Sequence, residues 1–111
     1  MAKNKRFQKH FRKFHGKQTT GHPSYVYDEN GKVYKVIGVT ESPVTNGVLN
    51  IRLVKNPEPN SIKPAYIRPV PIEIPNVTKS TKLKGWKFAD IDKPKVQTVI
   101  DGGYKKKPRK K

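Results

Sequence analysis

Charge on this chain of 111 residues is segregated, and the segregation limits how much of it can fold. Met1 to Lys17 carries seven Lys and Arg residues and Tyr104 to Lys111 carries six, with no acid in either segment. The two ends hold +13 of the formal +17, leaving +4 for residues 18–103. A segment of one charge sign with few apolar residues buries too little surface to offset the entropy of ordering it. The expected organisation is therefore a basic amphipathic arm over 1–17, a single domain over 18–103 and a basic tail over 104–111. Eighty-six residues allow one modest hydrophobic core and no second.

Within the arm, Phe7, Phe11 and Phe14 recur at spacings of four and three, while Lys5, Lys9, Lys13 and Lys17 recur every four residues. On a helical wheel this is an aromatic face opposite a lysine stripe. The lysine pairs repel one another and the segment is short, so the helix is expected to be frayed alone and to form on phosphates. The alternative is that the three phenylalanines dock the arm on the protein's own body. A basic aromatic helix could also lie on an anionic membrane, although the apolar-free C-terminal tail argues against that.

From Ser24 the texture becomes strand-like. Tyr25-Val26-Tyr27 and Lys32 to Val39 flank Asp28-Glu29-Asn30-Gly31, and Asn-Gly between such runs predicts a hairpin. Thr45-Asn46-Gly47 predicts a second turn, leading into a strand over Val48 to Val54 with Leu49, Ile51 and Leu53 facing the core. The proline-broken run Ala65 to Pro75 reads as an edge strand or extended wrap, and Asn76 to Lys84 as a surface loop. Asp92 followed by Lys93-Pro94 reads as the N-cap of a helix ending before Gly102-Gly103, with Val96, Val99 and Ile100 buried. The fold class is mainly β (α+β): a small bent antiparallel sheet, or an SH3-like or OB-like barrel, with one C-terminal helix and basic arms.

No cysteine is present, which removes disulfides and thiolate metal sites. The N-terminus lacks a secretory apolar run and no stretch approaches the length of a membrane span. The start is too poor in serine for a typical transit peptide. The expected location is the cytoplasm of a host cell or a nucleoprotein particle. His10 and His15 diverge around a helix and have no ligand partners, so no metal or other cofactor is expected. No Gly-rich phosphate loop or nucleophile elbow appears either.

Basic and aromatic residues interleave in the body: Tyr25, Tyr27, Tyr34, Tyr66 and Trp86 stand among Lys32, Lys35, Arg68, Lys84 and Lys87. Such a mixture stacks bases while pairing phosphates, although a core this small also needs its aromatics. His22, Glu41 and Arg68, supported by Ser24, Thr40 and Ser42, are the one set with the groups of a metal-independent ribonuclease: a base, an acid and a cation for the phosphorane. Read as plain local structure, His22 precedes a proline in a loop and Thr40-Glu41-Ser42-Pro43 is a turn.

The stretches His22-Pro23-Ser24-Tyr25-Val26-Tyr27, Ile37-Gly38-Val39-Thr40-Glu41-Ser42, Asn56-Pro57-Glu58-Pro59, Ala65-Tyr66-Ile67-Arg68-Pro69 and Leu83-Lys84-Gly85-Trp86-Lys87-Phe88 resemble small basic β-domain proteins of bacterial phages and mobile elements. The resemblance covers most of the body and neither tail, and it implies a viral or mobile-element setting without a reaction. It is also similar to the small β-barrel endoribonucleases of toxin–antitoxin systems, whose catalytic pattern is not matched closely enough to carry residues across.

The leading functional expectation is a non-enzymatic nucleic-acid-binding protein, largely sequence-independent, that holds RNA or DNA backbone through its arms. The contact residues would be Lys3, Lys5, Arg6, Lys9, Arg12, Lys13 and Lys17 in the first arm and Lys105, Lys106, Lys107, Arg109, Lys110 and Lys111 in the second. Engagement of half these charges corresponds to a log-log salt slope near about −5, and the body is expected to stay folded without residues 1–17 and 104–111. The alternatives are the small ribonuclease and a structural component of a virion or ribonucleoprotein particle, whose tails bind an acidic protein partner.

Overall fold

The computed structural model describes residues 8–15 and 23–103. They form nine strands, β1 (His10–Phe14), β2 (Pro23–Glu29), β3 (Val33–Thr40), β4 (Val44–Thr45), β5 (Val48–Leu49), β6 (Ile51–Arg52), β7 (Tyr66–Ile67), β8 (Ile72–Pro75) and β9 (Ser80–Leu83). A 3₁₀ turn over Asp90–Asp92 then leads into the helix α1 (Lys93–Ile100). The main antiparallel sheet runs β6-β7-β3-β2-β1-β9, with β8 also on β3, and β4 and β5 make a separate small hairpin. The mainly β fold with one C-terminal helix is thus as the sequence predicts. No ladder joins β6 to β9 among the described residues, so the bent sheet is open along this path.

The β2–β3 hairpin closes where the sequence places it. Asn30 Oδ1 accepts the backbone N–H groups of Lys32 (2.9 Å) and Val33 (3.0 Å), and Gly31 adopts φ +92°. The left-handed conformation there suits glycine, which has no Cβ to clash. The register slips between Val26 and Asp28, an irregularity at Tyr27 of the kind that coils a sheet.

One edge of β3 is shared by two strands. Its first half pairs with β8 and its second half with β7, while Arg68 N–H bridges the gap by donating to Gly38 O at 2.9 Å. Pro69 and Pro71 fall in that gap, where no ladder needs their missing N–H groups. A Cβ on Gly38 would lie 2.9 Å from Arg68 Cγ, so glycine is what lets the Arg68 side chain cross the strand.

Three sequence expectations are corrected. His10–Phe14 is a strand paired with β2 on one side and β9 on the other, and not a helix. A spacing of three puts Phe11 and Phe14 on opposite faces of a strand. Phe11 joins the main core with Ile37, Val39, Leu53, Ile67, Phe88, Val96 and Val99. Phe14 joins a smaller cluster with Val26, Val36 and Ile74. Tertiary burial on both faces outweighs the helical periodicity of the isolated segment, so Phe11 and Phe14 do dock the segment on the body, while Phe7 lies outside the described residues. The boundary placed after Lys17 therefore leaves out an interior strand of the sheet.

The second correction is the surface loop over Asn76 to Lys84, which contains β9. The third concerns Val48 to Val54. Asn50 interrupts it by donating its backbone N–H to Pro43 O (2.9 Å), and Leu49 is 74% exposed, so only Ile51 and Leu53 face the core.

Helix α1 starts at Lys93 with proline in its first turn, as expected, and buries Val96 and Val99. Asp92 occupies the N-cap position but makes no capping bond with its side chain. Its carboxylate, fully buried, instead accepts the backbone N–H groups of Val54 (2.8 Å) and Lys55 (3.0 Å) and pairs with Lys95 Nζ at 3.2 Å. Asp92 thus pins the segment after β6 to the start of the helix.

Candidate nucleic-acid interface

The pairing of β1 with β9 joins two basic segments that lie far apart in the sequence. Residues 8–15 and 77–88 carry Lys9, Arg12, Lys13, Lys79, Lys82, Lys84 and Lys87 and no acid. Arg12 stands opposite Lys82 in the ladder. Like charges directly across a pair of strands repel, so this register has a cost that an anion would relieve. Lysine on an edge strand such as β9 also blocks unwanted strand addition. That explanation does not cover β1, which is interior.

Arg12 is held in place. Its Nη1 donates to Ser80 Oγ (2.9 Å), its Nε donates to His10 Nε2 (3.0 Å), and its guanidinium lies 5.2 Å from the centre of the Tyr34 ring. A guanidinium has five N–H donors, so two engaged here leave others for a phosphate. Because His10 Nε2 accepts from Arg12 while Nδ1 lies 2.8 Å from Gln8 O, the imidazole is neutral with its proton on Nδ1. Burial pushes the His10 pKa below the ordinary 6.5, and Arg12 and Lys82 push the same way against the opposing pull of Gln8 O and Glu29. His15 Nε2 contacts Thr81 Oγ1 at 2.9 Å, so His15 bridges directly to β9 while His10 holds Arg12.

Beside this edge lies a hollow of about 530 Å³ bordered by Lys9, Tyr25, Trp86, Lys87, Phe88 and Lys93. Phe11 underlies it, 5.0 Å from the Tyr25 ring and 5.7 Å from the Trp86 ring between centres. Asp90 pairs with Lys93 at 2.9 Å. Burial raises the Tyr25 pKa, which keeps the phenol a neutral donor. Cations bordering aromatic rings are the combination that can pair phosphates and stack bases.

Of the contact residues predicted from sequence, Lys9, Arg12 and Lys13 lie on β1 and its approach, Lys9 and Lys13 on the side of Phe11 and Arg12 on the side of Phe14. Lys3, Lys5, Arg6, Lys17, Lys105, Lys106, Lys107, Arg109, Lys110 and Lys111 lie outside the described residues. Lys79 and Lys82 were missed because their segment reads as a loop. The acid-free run from Val77 to Ala89 was the available signal.

The ribonuclease set is placed as follows. His22 lies outside the described residues. Arg68 Nη1 donates to Asn50 Oδ1 at 2.8 Å, and Asn50 in turn donates to Ser42 O in the loop that Glu41 opens just after β3, but no contact joins Arg68 to the Glu41 carboxylate among the described residues. Thr40 Oγ1 accepts from Ser42 N–H, Ser42 Oγ donates to Val44 O, and Ser24 is buried. The two loop hydroxyls therefore organise their own turn. No group of three or more His, Asp or Glu among the described residues could hold a metal ion. Among them, no helix is long and apolar enough to cross a membrane.

Comparison with known protein families, curated proteins and solved structures yields no match.

Proposed function

We propose that the protein binds nucleic acid by its phosphate backbone, with the β1–β9 edge as a folded platform to which the basic ends add charge. The observation that carries this reading is the convergence of two acid-free basic segments, 8–15 and 77–88, on paired strands of one sheet edge. Phosphate neutralisation releases condensed counterions, so the affinity depends on salt and little on sequence. Arg12, fixed by Ser80 and His10, presents a pre-oriented guanidinium, and Lys82, opposite it in the ladder, acts as a point charge on the same face.

The test is anisotropy of labelled 20-nucleotide single strands and duplexes between 50 and 300 mM salt, using the full chain and a Lys79→Gln, Lys82→Gln, Lys84→Gln variant. Each lost phosphate contact reduces the log-log slope by roughly 0.7–0.9. A flattening of about 2 is expected for three lysines engaged in single-strand binding. An unchanged slope in the variant sinks the platform reading.

A further inference from the structure

We propose that the groove on the other side of Trp86 takes an unpaired guanine base from a single strand held on the β1–β9 edge. This rests on the nucleic-acid reading above and adds base selectivity to it. The groove encloses about 870 Å³, enough for more than one nucleotide. Val39, Ala65, Leu83 and Trp86 supply its apolar lining, and Lys13, on β1, belongs to its wall, so the groove is continuous with the basic edge.

Its chemistry differs from the rest of that surface. Glu41 and Glu58 both line it, and neither carboxylate makes a hydrogen bond or ion pair with any described residue. Among the described residues, which include fifteen Lys and Arg, these two acids stand unpaired in one groove. Carboxylates repel phosphate and accept N–H groups. On its Watson–Crick edge guanine offers two adjacent donors, the ring N1–H and the exocyclic amine, which match the two oxygens of one carboxylate. Adenine and cytosine offer only an amine there, and uracil only one imino N–H. Trp86 supplies a stacking surface and Lys13 a cation for the adjoining phosphate, so base, ring and phosphate each meet a suitable group.

Trp86 is the sole tryptophan, so its emission reports on this groove directly. The full-length protein is titrated at 50 mM salt with uridine octamers carrying one central guanine, adenine, cytosine or uridine. The guanine octamer is expected to quench Trp86 and to bind about tenfold tighter than the others, the discrimination of one bidentate base contact. In the Glu41→Gln, Glu58→Gln variant that preference disappears while the all-uridine affinity is kept or improved, since two repulsive charges are gone. Circular dichroism confirms that the variant is folded, as expected for substitutions at two exposed side chains. Equal affinity for all four octamers overturns guanine selection and leaves backbone binding intact. Failure of every octamer to bind removes the underlying reading as well. Quenching by the peptide Lys-Lys-Lys-Pro-Arg-Lys-Lys, lost in the Gln variant and without any guanine preference, assigns the groove to a basic protein segment instead.

Discussion

Truncation separates a dispensable arm from an integral strand. Removing residues 1–17 deletes β1, breaking its ladder with β2 and its ladder with β9. It also deletes Phe11 and Phe14, which are 2% and 0% exposed and sit in different core clusters. Truncating one buried phenylalanine to alanine costs about 3–5 kcal/mol, and a domain of this size has about 5–15 kcal/mol in total. Loss of both rings therefore consumes most or all of the stability before the broken ladders are counted. Phe11→Ala alone should lower the unfolding free energy from urea melts by that single-ring amount, and the chain lacking residues 1–17 should show no cooperative transition. The chain lacking only residues 1–7 keeps every described strand and should melt near the full-length midpoint. Far-UV circular dichroism together with Trp86 emission, sensitive to Phe11 at 5.7 Å, follows all three. A cooperative transition at the full-length midpoint after removal of residues 1–17 would show that β1 is not integral to the sheet.

Asp92→Ala leaves the part-buried Val54 and Lys55 N–H groups without their acceptor, and at the lower end of the roughly 1–3 kcal/mol that an orphaned donor costs, denaturant melts should show a loss of about 2–3 kcal/mol. Gly38→Ala drives a methyl to 2.9 Å from Arg68 Cγ, so it should cost about 1–3 kcal/mol as an overpacking change, with Asn50→Ala partly masking the effect if the Arg68–Asn50 bond is what breaks. For His10, a folded pKa below the ordinary 6.5 means that protons bind the unfolded chain more tightly. Its contribution to stability is thus complete above about 6.5 and is lost as pH falls through the depressed folded value. Thermal midpoints at pH 7.5 and 5.5 should therefore converge in a His10→Gln variant relative to the native chain, and an unchanged gap would remove this linkage.

The parts of the fold written in local chemistry were legible. Asn30-Gly31, Asn46-Gly47 and Lys93-Pro94 each fix backbone geometry within a few residues, and the hairpins and helix start fall there. What could not be read locally depended on distant partners. The helical spacing of Phe7, Phe11 and Phe14 competes with two strand neighbours that supply hydrogen bonds, and burial on both faces decides for the strand. Asp92 looked like a cap because its partners, 37 and 38 residues away, are backbone groups that carry no sequence signature. Ser80-Thr81-Lys82-Leu83 offers almost no apolar alternation, so its place beside β1 is visible only in the register.

That register also changes what the charge means. With β1 inside the sheet, the described residues carry fifteen Lys and Arg against eight acids, +7, whereas the division at residue 17 left the domain +4. The added charge is placed beside Lys79, Lys82 and Lys84, and none of the chain's acids lies on either segment. A run of basic residues attracts any polyanion by its charge alone, whereas paired strands fix the spacing between their cations. Strands separated by about 4.8 Å, with residues repeating every 3.3 Å or so, hold Arg12 and Lys82 at a set distance across the ladder and so favour a backbone whose phosphates can meet both. On the proposed reading, the ends would govern how often a nucleic acid arrives, and the sheet edge how it lies once there.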